Sequence, residues 1–342
     1  MRVEANSLAM MLRPLRPFLD CDGITELCIN RPGEIFLESG DGWRREAAAF
    51  ADFDWCSRLA KLIANSTQQR IDESSPLMSA SLPGGERVQV VIPPATMPRC
   101  VAMTIRRPSK AAWSVDEMAS RGIFDHTVSS AESVDVTESC LSRLLREGDH
   151  SGFMKLAVRS RKNILVSGPT GSGKTTWTKA LIREIPPHER LITIEDAAEL
   201  LLYHHPNHVR LLYSKGDQGL ARVTPKQLLE SCLRMKPDRI LLAELRADEA
   251  FDYLRNVGSG HPGSITSIHA SSAELAFEQL VLLIKQNPGG RDLSRQEIKN
   301  LLYMLVDVVI QFCVRDRRKF VQEIWYEPAR KRRAMSGIGV ES

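Results

Sequence analysis

Paired cysteines are missing from this chain. Its seven cysteines, at 21, 28, 56, 100, 140, 232 and 313, are scattered, odd in number and without a C-x-x-C pair. That excludes a disulfide framework and a zinc site, and it fits a reducing compartment. Aromatic residues are few, at 6%, and no basic stripe is interleaved with them, so no surface for gripping nucleic acid can be read from the sequence. A net charge of +4 is too mild to imply such a partner by itself. Long hydrophobic runs are absent too. The longest, Leu301 to Val314, is interrupted by Asp307 and Gln311 and is too short and polar to cross a bilayer. Glu4 and Asn6, then Pro14 and Pro17 within the first apolar stretch, make a poor signal peptide. The expectation is a cytoplasmic protein without a transmembrane segment, with the membrane surface left open as a place to bind. What remains is 342 residues with 43% hydrophobic content, enough for two packed domains.

The most informative segment is Gly168-Pro-Thr-Gly-Ser-Gly-Lys-Thr175, preceded by the apolar run Asn163-Ile-Leu-Val-Ser167. A buried strand entering a glycine-rich turn that ends in Gly-Lys-Thr is a P-loop. Gly168, Gly171 and Gly173 let successive backbone N–H groups converge on phosphate oxygens. Lys174 is placed for the β- and γ-phosphates and the Thr175 hydroxyl for Mg²⁺, with Ser172 and Thr176 in the same loop. The helix that follows, over about 174–185, adds its positive N-terminal end.

Around this motif the chain divides into an α+β N-terminal domain (1–107), a linker (108–135) and a P-loop domain (136–342). The first part alternates short strands at 24–29, 35–38, 87–92 and 101–105 with a helix at 54–65. The linker holds one small helix, opened by the capping box Ser114-Val-Asp-Glu117. From about 160, strands and helices alternate as in a mostly parallel sheet with helices on both faces, closed by an antiparallel hairpin near 306–313 and 320–325. The Leu8–Leu19 stretch, broken by Pro14 and Pro17, packs on its own domain or on a neighbouring subunit, and the sequence does not decide between them.

Ligands of such sheets sit at the carboxyl ends of the strands. Three strands end there in polar groups. Leu191-Ile-Thr-Ile-Glu195-Asp196 delivers two carboxylates, although Asp196 also suits helix capping. Arg239-Ile-Leu-Leu-Ala-Glu244-Leu-Arg246 delivers one where P-loop enzymes manage Mg²⁺ and water, against the plainer alternative of a Glu244–Arg246 surface salt bridge. His269 closes the strand after Gly263 and is placed to sense a γ-phosphate. His204, His205 and His208 lack the spacing of a metal site, and the Arg330–Arg333 run reads as a solvated tail.

These four segments, in this order, resemble the Walker A, aspartate, Walker B and histidine boxes of the secretion traffic ATPases. Arg87-Val-Gln-Val-Val-Ile-Pro-Pro94 and Thr104-Ile-Arg-Arg-Pro-Ser109 point to the hexameric ATPase of type IV secretion systems within that superfamily. The resemblance covers residues 20–325. It implies a recombinase-like ATPase domain, ATP and Mg²⁺ as ligands, a homohexameric ring, and other components of a secretion apparatus at the inner membrane as partners. It also implies that Arg87 and Arg106 approach the terminal phosphates, a task suited to guanidinium groups. Ala243 stands where many P-loop ATPases carry an Mg²⁺-binding aspartate, which leaves the division of labour between Glu195 and Glu244 open. By position, Glu195 is assigned to the attacking water and Glu244 to Mg²⁺ and its waters. The rivals are a DNA-gripping ring translocase, a nucleotide-gated scaffold and a small-molecule kinase.

Overall fold

The computed structural model describes residues 2–108, 112–127, 136–214 and 219–336. Part of the linker expected at 108–135 therefore lies outside the described residues. Within it, α4 (Val115–Ser120) begins at the Ser114 capping box as its sequence requires.

The N-terminal part is a six-stranded antiparallel sheet. Its strands are β1 (Glu26–Ile29), β2 (Gly33–Ser39), β3 (Gly42–Ala48), β4 (Leu77–Ser81), β5 (Arg87–Val91) and β6 (Ala102–Arg106), in the order β3-β2-β1-β6-β5-β4. The sequence reading missed β3 and β4. Both are edge strands, whose half-solvated residues leave only a weak apolar alternation. On one face Leu27, Ile29, Leu37, Val88, Val90 and Ile105 pack against α3 (Phe53–Ser66), which Asp52 caps. Leu8 and Leu12 of α1 (Arg2–Leu12), Leu15, and Leu19 of the short α2 (Arg16–Leu19) are buried in the same core. The partner of the Leu8–Leu19 stretch is thus its own domain.

The opposite face carries a row of charges. Register aligns Glu38, Glu26, Arg106 and Arg87 across four neighbouring strands. Burial pushes the Glu26 carboxyl up to about 7, against the pull of Arg106 and Lys236 and with a push from Glu38. A carboxyl whose pKa rises on folding stabilises relative to its unfolded form at acid pH and loses that stability as pH climbs from about 4.5 to 7. Glu26→Gln is therefore expected to raise the unfolding temperature at pH 8 and to leave it unchanged near pH 4. Calorimetry at the two pH values checks this.

From residue 136 the chain forms a mixed α/β domain. Its strands are β7 (Ile164–Ser167), β8 (Leu191–Glu195), β9 (His208–Leu212), β10 (Arg239–Leu242), β11 (Ile265–Ile268), β12 (Val308–Arg315) and β13 (Arg318–Trp325). All ladders are parallel except the β12–β13 hairpin. Backbone pairing gives β9-β8-β10 and β11-β7-β12-β13. Serines close the seam between them: Ser264 Oγ donates to the Ile240 carbonyl (2.6 Å) and Ser267 Oγ to that of Ala243 (2.8 Å). Ile164, Val166, Val308 and Ile310 face α5 (Val136–Arg146), α6 (His150–Arg159) and α7 (Lys174–Ile182). Leu165, Val309, Ile240 and Leu242 face α8 (Pro225–Cys232), α9 (Glu249–Gly258), α10 (Ala273–Gln286) and α11 (Arg295–Leu305). Period-2 alternation thus supplies two cores, one on each side of the sheet.

Two further contacts matter. Arg190 is fully buried between the domains. It donates to Asn30 Oδ1 (2.7 Å), the Met235 carbonyl (2.9 Å) and Asn207 Oδ1, and lies over the Trp43 ring. The basic run at 330–333 is not a solvated tail but part of α12 (Pro328–Met335), started by Pro328. Lys331 pairs with Asp307 (2.6 Å), Arg332 with Glu138, and Arg330 covers the Tyr303 ring.

Candidate nucleotide site

At Ser167, β7 reaches the carboxyl edge of the sheet, and the next six residues turn the chain into α7. Close approach demands Gly168: a Cβ there would stand 2.8 Å from that of Phe312 and 3.0 Å from the Phe312 carbonyl oxygen. Gly173, at φ +97°, caps α7 in a conformation that side-chain-bearing residues rarely adopt. The first-turn amides of α7 have no partner within the helix and lie at the positive end of its dipole. Ser172 Oγ and Thr178 Oγ1 are buried without a hydrogen-bond partner among the described residues. Gly171, Ser172, Gly173, Lys174, Thr175 and Thr176 all line one cavity of about 340 Å³. This set of donors, unobstructed by side chains at the glycines, fits a polyphosphate.

Lys174 is buried, and its ammonium donates to the carbonyls of Gly168 (2.8 Å) and Pro169 (3.1 Å). It also lies 3.2 Å from His269 Nδ1. An ammonium only donates, so Nδ1 accepts and the ring proton sits on Nε2. That nitrogen is 2.6 Å from Glu244 Oε1. Oε1 stands at that distance without accepting a hydrogen bond, so the imidazole bonds to the P-loop lysine and only abuts the carboxylate. The electrostatics agree: burial, then the cations Lys174 and Arg246, push the His269 pKa down. Burial pushes Glu244 up, against the attraction of Lys174, and pushes Lys174 down, against that of Glu244.

The Glu244–Arg246 salt bridge does form, with Nε donating to Oε2 at 2.7 Å, yet Glu244 still faces the cavity. Arg246 also reaches Asp196 at 3.4 Å. The salt bridge weighed as the plainer alternative for Glu244 is thus formed by a carboxylate that also lines the cavity.

Glu195 is a correction. It is fully buried and does not line the cavity. Its oxygens accept from Thr193 Oγ1 (2.7 Å), from Arg210 Nε and Nη2 (3.0 Å each), and from the amides of Glu199 and Leu200 (2.8 Å each). A carboxylate so engaged has no free face to orient a water. The adjacent Asp196 is the one that lines the cavity. Arg87 and Arg106 stand elsewhere as well. No residue of the N-terminal sheet lines the P-loop cavity; the two arginines instead share a cavity of about 530 Å³ with Glu26, Arg234 and Lys236. Sequence reasoning missed Lys319 and Glu199, which line the nucleotide cavity, and Arg210, which holds Glu195.

Residues 11–337 match the family described as Type II/IV secretion system protein. The chain belongs to that family. Within it the chain is a VirB11-type type IV secretion ATPase, hydrolysing ATP to energise type IV secretion. It is 46% identical over 342 residues to the type IV secretion system protein VirB11 of Bartonella quintana, covering 95% of this chain and 94% of that protein. Against VirB11 of Brucella suis biovar 1 the figures are 46% over 334 residues, with 96% and 92% covered. A solved structure of the VirB11 ATPase of the Brucella suis type IV secretion system, in complex with sulphate, superimposes with a TM-score of 0.93 at 45% identity. That match covers 97% of this chain and 98% of the other. The fold of this VirB11-type ATPase is accordingly an N-terminal antiparallel sheet domain followed by a mixed, largely parallel α/β domain. Among the described residues, no helix is long and apolar enough to cross a membrane.

Proposed function

We propose that this ATPase binds ATP with Mg²⁺ across Gly168–Thr176 and hydrolyses it with Glu244 as proton acceptor. It works as a homohexameric ring at the cytoplasmic side of the inner membrane, beside other components of a secretion apparatus. The observation that carries the site assignment is the Lys174–His269–Glu244 chain at the head of α7. We read residues 1–107 as the N-terminal domain, 108–135 as the linker and 136–342 as a recombinase-like ATPase domain. A core built wholly of residues before the linker supports that division, while Val91, Ala95 and Ala102 pack into the core that follows it.

On binding, Lys174 exchanges carbonyl acceptors for β- and γ-phosphate oxygens, while the α7 amides and Ser172 cradle the polyphosphate. When bound, Mg²⁺ would supply charge neutralisation at the phosphates, and Thr175, with Glu244 through water, would hold it. Glu244 takes a proton from the attacking water. The water oxygen bonds to the γ-phosphorus as the bond to the β–γ bridging oxygen breaks, leaving ADP and phosphate. Arg246 holds Glu244 through its Nε proton, with His269 packed beside the carboxylate.

Arg87 and Arg106 act on the nucleotide of a neighbouring subunit. Both are exposed, and neither shares a cavity with the P-loop of its own chain. Mixing Lys174→Ala with Arg106→Ala protein tests this and the ring together. Each variant alone should be inactive, and random co-assembly should restore roughly one site in four, since each intact site needs a lysine from one variant and an arginine from the other. Light scattering on the same samples should give the mass of six subunits. Absence of any recovery in mixed rings assigns the arginines to their own subunit, and a monomer with ATP defeats the ring.

A further inference from the structure

β7 stops at Ser167, opposite Gln311 of β12. Beyond that edge β12 and β13 continue as a two-stranded arm in which Phe312 pairs with Val321, Val314 with Lys319 and Arg315 with Arg318. The base of the arm is fixed to the P-loop. Phe312 packs against Gly168, and its ring meets Trp177 of α7 edge-on with centroids 5.9 Å apart. Alternation along the arm puts Val314 and Lys319 on the same face as Phe312 and Val321. The result is that Lys319 hangs over the turn into α7. Its Cδ lies 3.5 Å from where a Cβ would stand on Gly173, and its side chain lines the nucleotide cavity. Lys319 makes no ion pair among the described residues, although Arg246, Lys174 and His269 in the same cavity all have partners there.

We propose that Lys319 is a second polyphosphate-binding cation of this site, acting on nucleoside di- and triphosphates in addition to Lys174. A lysine suits the task because its compact ammonium on a flexible stem meets phosphate oxygens as a point charge without demanding one bidentate geometry. A surface lysine on an ordinary hairpin tip is free to swing in water. Here the arm is registered on the loop it overhangs, a glycine leaves room beneath the side chain, and no carboxylate among the described residues is paired with it. The inference rests on Gly168–Thr176 being the nucleotide site.

The test is a fluorescence titration of the full-length protein with fluorescent ATP and ADP analogues in the presence of Mg²⁺. Lys319→Ala is expected to weaken both about tenfold, which corresponds to about 1.4 kcal/mol. Lys319→Arg should bind within about threefold of wild type, because the charge is kept. Arg318→Ala removes an equal charge from the opposite face of the same strand and should leave binding unchanged. Wild-type affinity in Lys319→Ala, or equal weakening in Arg318→Ala, overturns the proposal. Lys174→Ala separates the two readings. Binding lost there but kept in Lys319→Ala defeats only the role of Lys319, whereas Lys174→Ala binding as wild type defeats the nucleotide site itself.

Discussion

Glu244→Gln should lower kcat for ATP hydrolysis about a thousandfold while leaving KM within a few-fold, the size of effect that follows loss of a positioned proton acceptor. Gln keeps the volume and a carbonyl oxygen for Arg246 Nε, but it cannot take a proton at neutral pH. The pH profile makes the test specific. Burial holds the Glu244 pKa above the ordinary carboxylate value. Only the ionised form accepts the proton, so wild-type kcat should climb as pH rises through that elevated pKa and then level off. His269 is pushed the other way and stays neutral over the plateau. The acid limb should vanish in Glu244→Gln. Steady-state phosphate release across the acid and neutral range measures both. A variant within about tenfold of wild type would pass the role to Asp196, the other strand-tip carboxylate at the cavity.

What could be read from the sequence was whatever is contiguous. The P-loop is one segment whose glycines, lysine and threonine act where they stand, and the central strands announce themselves as apolar runs because both of their faces are buried. What escaped depended on partners distant in the chain. Glu195 and Asp196 are neighbours at one strand tip, and nothing local says which of them faces the cavity. The answer comes from Arg210 on β9, which draws Glu195 inward. Lys319 belongs to a hairpin far along the chain, brought to the P-loop by the β7–β12 pairing. Arg87 and Arg106 came to notice only through the family resemblance, and the orientation of one domain on another is set by Arg190, Asn30 and Asn207, contacts with no sequence signature. The basic run at 330–333 looked solvated because its counter-charges, Asp307 and Glu138, sit in other elements.

The buried pair at the tip of β8 separates structure from chemistry. Glu195 is wholly inaccessible, and among the described residues the guanidinium of Arg210 is the counter-charge in bidentate contact with it. Arg210→Ala is therefore expected to destabilise the fold by about 3–5 kcal/mol, since it leaves a buried carboxylate unpaired. Part of that loss would be felt between the domains, because Thr96 Oγ1 donates to the Arg210 carbonyl at 3.0 Å and Leu212 N to that of Ala95 at 2.9 Å. Replacing both members by Met removes the charge and its partner together, and should return most of the stability, as apolar substitutes for buried ion pairs commonly do. Urea denaturation of the single and double variants gives the coupling. Activity of the folded double variant then decides what Glu195 does. As an anchor for the amides of Glu199 and Leu200, beside the cavity that Glu199 lines, its loss should cost about tenfold in kcat, well short of the Glu244→Gln defect. A double variant that is folded yet as inactive as Glu244→Gln would return Glu195 to the attacking water, and the hydrogen bonds that now occupy it would have to open during turnover.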